Sequence, residues 1–254
     1  MGPLPVVAQQ GNDLVDIRVL PGWRAAGGMH VAALEVRLRP GWKTYWRSPG
    51  DAGVPPQFDW RRSRNLSGVE AVWPTPGIID QGGVRTLGYA DVLVLPLQIA
   101  PSRPGRDVAL SGVIDIGVCS DVCVPITAQV SQTLPASNTR PDPRIAAALA
   151  NRPYTAAEAG VSRVACSLSA AEDGLGLRAE IDMPGAGAET AIVEVDDPSI
   201  WVAQPDTARK GNRLVAETRL YHVEGRAFAL DRSDIRITVL GGAQAVDIQG
   251  CPAG

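Results

Sequence analysis

The sequence predicts an all-β protein: two sandwich-sized β-domains joined by a short helical linker. Three observations carry this. Apolar residues recur with period 2 in runs of about 6 to 9 residues, the signature of half-buried strands. The 27 glycines and 21 prolines are spread over 254 residues without a period, which excludes collagen-like and coiled-coil chains and disfavours a helical bundle. Helical patterning is confined to Arg144–Asn151, between the turn-rich stretch Pro135–Pro143 and Pro153. With 45% hydrophobic residues the chain is not disordered.

In chain order, Leu14–Leu20 alternates in its second half, and His30–Leu38 alternates more clearly, with Glu35 and Arg37 on one face. Val92–Ile99 and Val108–Ile116 follow, each bounded by Gly, Pro, Asp or Ser. Pro96 inside such a run predicts an edge position or a bulge, because proline cannot donate to a ladder. Val124–Val130 is a further apolar run before the pattern breaks near Leu134. After the linker, strand-like runs resume at Val161–Leu168, Leu175–Ile181, Ala191–Val195, Arg213–Leu220, Ala227–Leu230, Ile235–Leu240 and Ala243–Ile248. The domains are therefore expected at 12–134 and 155–254, with the linker at 135–154. Val92–Val130 and Arg226–Gln249 share an order of apolar runs, a faint echo of duplication in which Gly241-Gly242 replaces the turn from Cys119 to Cys123.

Charge narrows the function. Lys+Arg 24 against Asp+Glu 27 leaves a net −3, and the basic residues lie singly or in pairs, which argues against nucleic acid as a partner. Only Lys43 and Lys210 are lysines. No run approaches the ~18 apolar residues that span a bilayer. Met1–Gln10 has neither a basic n-region nor an apolar h-region, so no signal peptide is expected there. The chain is then cytosolic, or its signal was removed; Gly2-Pro3 reads as an expression remnant and favours removal. Two histidines and three methionines argue against a dedicated copper or zinc store, and no metal site is expected.

The four cysteines fall into two kinds. Cys119 and Cys123 flank three residues between two apolar runs, so a hairpin would set their Cα atoms ~4.5–5.5 Å apart, within disulfide reach. A ring that small adds little loop-closure entropy, which makes a reversible redox pair worth weighing. A small structural disulfide and a metal half-site remain open; the latter lacks further ligands, since His30 and His222 are distant in sequence. Asp121 inside the loop should disfavour a neighbouring thiolate by like charge. Cys166 and Cys251 lie 85 residues apart, and joining them would stabilise by ~4–5 kcal/mol in the chain-entropy model. Of three pairings, only 119–123 with 166–251 keeps each bond inside one expected domain. That pairing implies an oxidising compartment; the alternative is four free buried thiols in a cytosolic protein.

Five of six tryptophans fall at Trp23, Trp42, Trp46, Trp60 and Trp73. The segment Gly41–Pro56 packs three aromatics among Gly/Pro turns and reads as a rigid corner with Trp42 and Trp46 buried. Pro40-Gly41-Trp42-Lys43-Thr44-Tyr45-Trp46, Gly50-Asp51-Ala52-Gly53, Trp73-Pro74, Gly88-Tyr89, Leu95-Pro96 and Cys119-Ser120-Asp121-Val122-Cys123-Val124-Pro125 occur in this order. The series resembles the N-terminal periplasmic domain of the DsbD-type thiol:disulfide interchange proteins, in particular the branch called suppressor of copper sensitivity protein B. Over the second domain the likeness is one of layout.

The resemblance implies immunoglobulin-like β-sandwiches and a protein-disulfide reductase component needing no small-molecule cofactor. Cys119 and Cys123 become the redox pair, with Cys123 forming the mixed disulfide and Cys119 resolving it. Electrons would come from a thioredoxin-like donor domain fed by a membrane conduit and pass to periplasmic thioredoxin-fold proteins such as disulfide isomerases. Without a membrane segment, the chain is expected to be part of a larger inner-membrane protein or a free-standing domain served by one. Two departures stand out. Better-known relatives separate the cysteines by a longer insert, and they shield the pair with an aromatic cap loop. The comparable stretch here, Ile79–Arg85, has no aromatic residue, so shielding or tuning falls to Tyr89, Tyr45 or Trp46, with Asp121 nearby. The rival readings are a non-catalytic binding or adhesion sandwich with two structural disulfides and a tryptophan platform, and a copper-handling protein.

Overall fold

The computed structural model describes residues 13–50, 52–81, 83–242 and 244–253. Expectations for Met1–Gln10, Asp51, Gly82 and Ala243 lie outside these residues. The chain divides into two compact units, Met1–Arg152 and Pro153–Gly254, and both are immunoglobulin-like β-sandwiches.

The first unit contains β1 (Val15–Arg24), β2 (His30–Leu38), β3 (Lys43–Tyr45), β4 (Gln57–Asp59), β5 (Gly68–Ala71), β6 (Gly77–Gln81), β7 (Val84–Ala90), β8 (Val92–Ala100), β9 (Val108–Cys119), β10 (Cys123–Leu134) and helix α1 (Pro143–Ala150). One sheet runs β1-β2-β8-β5; the other runs β10-β9-β3-β7-β6, with β4 also pairing β9. Leu34, Val36, Leu95 and Leu97 of the first sheet meet Leu110, Ile114, Val118 and Ile126 of the second in one core. Pro96 is not on an edge strand, because β8 lies between β2 and β5. It is tolerated because β5 ends at Ala71, opposite Leu97; beyond that point the Pro96 carbonyl accepts from the Val72 N–H at 2.9 Å, and no ladder donor is needed.

The outer face of β2 is covered too. Helix α1 starts at Asp142, whose carboxylate caps the Arg144 N–H at 2.9 Å. Its Ile145 is fully buried with Leu20 and Ala33. Glu35, patterned as a surface position, is 1% exposed. Its carboxylate accepts from Arg18 Nε at 2.5 Å, Arg37 Nε at 3.0 Å and Arg144 Nη1 at 3.5 Å. Three guanidiniums thus compensate one buried anion and tie α1 to the sheet.

The second unit contains β11 (Tyr154–Thr155), β12 (Arg163–Ala171), β13 (Gly174–Asp182), β14 (Thr190–Glu194), β15 (Ile200–Val202), β16 (Asp206–Lys210), β17 (Arg213–His222), β18 (Arg236–Gly241) and β19 (Gln244–Gln249). Its sheets run β11-β19-β18-β14 and β12-β13-β17-β15, with β16 on β17. Ala227–Leu230 is not a strand: Phe228 and Leu230 pack onto the core from an irregular segment. The echo of Val92–Val130 therefore reduces to its final hairpin. The Cys166–Cys251 disulfide joins β12 to the chain end with Cα atoms 5.5 Å apart, both residues 1% exposed.

Glu35→Gln keeps the shape but removes the charge, and should cost about 1–3 kcal/mol at neutral pH. Hydrogen bonding from Arg37, then Arg18, holds the Glu35 carboxyl below its ordinary 4.5. The stabilisation is therefore complete above pH 4.5 and is lost as pH falls through the lower folded value. Denaturant melts of parent and variant should converge as the pH drops below that window.

Candidate functional site

The β9–β10 hairpin sets the site. Its register is unbroken from Val108↔Leu134 to Cys119↔Cys123, so the loop Ser120-Asp121-Val122 leaves the cysteines directly opposite. They form a disulfide with Cα atoms 4.1 Å apart, slightly closer than the hairpin rule predicts. Ser120 N–H donates to the Val122 carbonyl at 3.0 Å and closes the loop. The two residues differ in access. Cys119 is 0% exposed, whereas Cys123 is exposed at the start of β10, the edge strand.

Pairing of β3 with β9, Lys43↔Cys119 and Thr44↔Val118, puts Lys43 and Tyr45 on the cysteine face of the sheet. Tyr45 is 3% exposed, and its hydroxyl lies 3.1 Å from Cys119 Sγ and 3.3 Å from Cys123 Sγ. A disulfide sulfur carries no proton, so the hydroxyl donates. Burial raises the Tyr45 phenol pKa and keeps it a donor. Two glycines make room for the ring. A Cβ on Gly117 or Gly53 would stand 3.1 Å from ring carbons, and at Gly53 also 2.3 Å from Pro49 Cβ.

After Tyr45 the chain leaves the sheet and returns to the same edge of β9 as β4. The detour is pinned across β7: Trp46 N–H donates to Leu87 O at 2.9 Å, and Leu87 N–H donates to Pro49 O at 3.0 Å. It lies over Tyr45, whose hydroxyl is 3.5 Å from the Ala52 carbonyl. Cover for the aromatic donor therefore comes from the residues after Tyr45. Ile79–Gln81 and Val84–Arg85 instead lie on β6 and β7, paired with each other.

Of the other aromatic candidates, Trp46 is fully buried beneath the Arg47 guanidinium, 4.1 Å from its ring, and its Nε1 has no hydrogen-bond partner among the described residues. Tyr89 faces the core: it stacks on Trp73 at 6.4 Å, donates to Pro74 O at 2.7 Å, and burial pushes its pKa up. Asp121 is exposed in the loop. Trp42, Trp60 and Trp73 also pack against the core of the first unit.

Sequence reasoning missed Lys43. It is 5% exposed, donates to Thr86 Oγ1 at 3.1 Å and lies 6.0 Å from the Tyr45 ring centroid. Burial lowers its pKa. The available signals were its position two residues before Tyr45, on one strand face, and the rarity of lysine. Among the described residues no group of three or more His, Cys, Asp or Glu is arranged to hold a metal ion. None of their helices is long and apolar enough to cross a membrane.

The site is thus a disulfide at a hairpin end of an immunoglobulin-like sandwich, with Cys123 exposed and Cys119 enclosed beneath an aromatic donor. Residues 16–135, just under half of the chain, match the family described as "Thiol:disulfide interchange protein DsbD, N-terminal". The chain is similar in fold to the N-terminal periplasmic domain of ScsB from Proteus mirabilis. The TM-score is 0.70 and the identity 24%, over 97% of this chain and 96% of that one. No curated protein matches the chain.

Tyr45→Phe keeps the ring and deletes the donor. The thiolate fraction of the reduced pair at neutral pH should fall about tenfold, measured as slower alkylation of the reduced protein at fixed pH.

Proposed function

We propose that this chain is a periplasmic thiol:disulfide interchange component that reduces disulfides of thioredoxin-fold proteins through Cys119 and Cys123. The unequal exposure of the two cysteines carries the reading. The Cys123 thiolate attacks a partner disulfide; a Cys123–partner bond forms, and the partner's other sulfur leaves as a thiolate and is protonated. The Cys119 thiolate then attacks Cys123 Sγ, the Cys119–Cys123 bond forms, and the second partner sulfur leaves with the electron pair. The pair loses two electrons and two protons, and the partner gains them. A thioredoxin-like donor domain served by a membrane conduit restores the dithiol.

Val122 in the loop is 63% exposed, and Val54, which lies over Gly117, is 59% exposed. Both offer a partner apolar contact beside Cys123. The Cys166–Cys251 clasp suits an oxidising compartment, and the second unit serves as scaffold or partner-positioning module.

The test is trapping. Cys119→Ser should accumulate a mixed disulfide through Cys123 with a thioredoxin-fold disulfide isomerase on non-reducing gels, and Cys123→Ser should accumulate none. The reading fails if neither variant traps such a partner, or if the pair's reduction potential lies below about −300 mV, as for structural bonds.

A further inference from the structure

We propose that Lys43 is a positioning residue for the exchange: its buried ammonium, set behind the Tyr45 ring, favours the thiolate of Cys119 in the resolving step. The inference rests on the relay reading above. Lysine is almost never fully buried unless it is paired. Lys43 is 5% exposed, yet its contacts are the neutral Thr86 hydroxyl and the Tyr45 ring. Among the described residues no carboxylate pairs with it.

Register sets the backbone of Lys43 opposite Cys119, while its Nζ reaches across to Thr86 on β7, on the other side of β3. Cys119 in turn stands directly opposite Cys123, so the three share one row across β3, β9 and β10. Tyr45 links them sideways, its ring 6.0 Å from Lys43 Nζ and its hydroxyl 3.1 Å from Cys119 Sγ. Among the described residues, the other titratable or charged groups around this row are Tyr45 on β3, Arg47 two residues beyond it, Asp115 on β9, and Asp121 in the loop between the cysteines. Asp115 is exposed, four residues along β9, and bonded to Thr127. Thr86, Gly88 and Ala90 on β7 carry no charge.

The step itself shows where a cation matters. Cys119 must attack as a thiolate, and full burial without compensation would hold it as a thiol. A nearby ammonium in a poorly solvated site opposes that penalty. As Cys119 Sγ bonds to Cys123 Sγ, its negative charge passes to the departing partner sulfur, which solvent can reach.

The test uses the Cys123→Ser protein, unreduced at Cys166–Cys251, so that Cys119 is its sole thiol. Its thiolate absorbance is titrated with Lys43, Lys43→Met and Lys43→Arg. The expected result is about tenfold less Cys119 thiolate at fixed pH in Lys43→Met, one pKa unit, with most of the loss recovered in Lys43→Arg. If Lys43→Met does not fold, as judged by its melting curve, Lys43→Gln takes its place. A Cys119 titration that Lys43→Met or Lys43→Gln leaves within about 0.3 unit of the parent overturns the proposal, as does a shift that Lys43→Arg fails to reverse. This readout is independent of trapping, so a flat titration removes the role of Lys43 while leaving the relay intact. Failure to trap removes the relay while leaving the titration interpretable.

Discussion

The Tyr45 ring, seated where Gly117 and Gly53 have no side chains, is the contact on which the site depends. Its hydroxyl reaches both sulfurs, and its ring passes Gly117 of β9 closely enough that a Cβ there would stand 3.1 Å from it. A methyl group at Gly117 would push the ring back by a few tenths of an ångström. The segment after Tyr45 must then pass over the ring and return to β9, which explains why β3 and β4 are each three residues long and share one edge. The hydrogen bonds from Trp46 to Leu87 and from Leu87 to Pro49 hold this cover to β7, so the donor is fixed before any partner arrives.

The two disulfides show how one bond type serves two ends. In the chain-entropy model the 85-residue ring stabilises by ~4–5 kcal/mol, whereas a ring closed across four residues contributes only about 2 kcal/mol. Cys166 and Cys251 are both enclosed, so that larger contribution is shielded from exchange. The hairpin pair has less entropy at stake and one accessible sulfur. Its frame therefore has to come from elsewhere: from the twelve register pairs of β9 and β10, and from a core with both faces of β2 covered.

Much of this was legible in the residues. His30–Leu38 and Val108–Ile116 are long enough for period 2 to show, and the three-residue spacing of Cys119 and Cys123 fixed them as a cross-strand pair. Shorter elements were not legible: three residues such as Lys43–Tyr45 cannot display a period, and β5 and β6 begin at glycines. Ala227–Leu230 reads as a strand because Phe228 and Leu230, two apart, face the core, but the packing there needs no ladder. Glu35 looked solvent-exposed because the three arginines that permit its burial are set by tertiary structure, Arg144 lying 109 residues away. Choosing between Tyr45 and Tyr89 likewise required knowing which sheet face each strand turns inward.

Strand position, not face, sets the two cysteines apart: they share one face, with Cys119 on interior β9 and Cys123 on edge β10. A sulfur that meets partners must be exposed, and water around Cys123 lowers the cost of its thiolate without help from the fold. In the proposed exchange the resolving sulfur must be inaccessible to partners, or a second mixed disulfide would form; Cys119 is fully buried. Burial then makes its own thiolate expensive, and the Tyr45 phenol donor lies 3.1 Å from its sulfur. The Tyr45 hydroxyl lies within 3.3 Å of both sulfurs, and Cys123 is in addition open to solvent beside the exposed Val122. With the two Cα atoms 4.1 Å apart, resolution in the proposed exchange calls for rotation of side chains about a hairpin that stays paired, so the site can open to a partner and reclose without unfolding its frame.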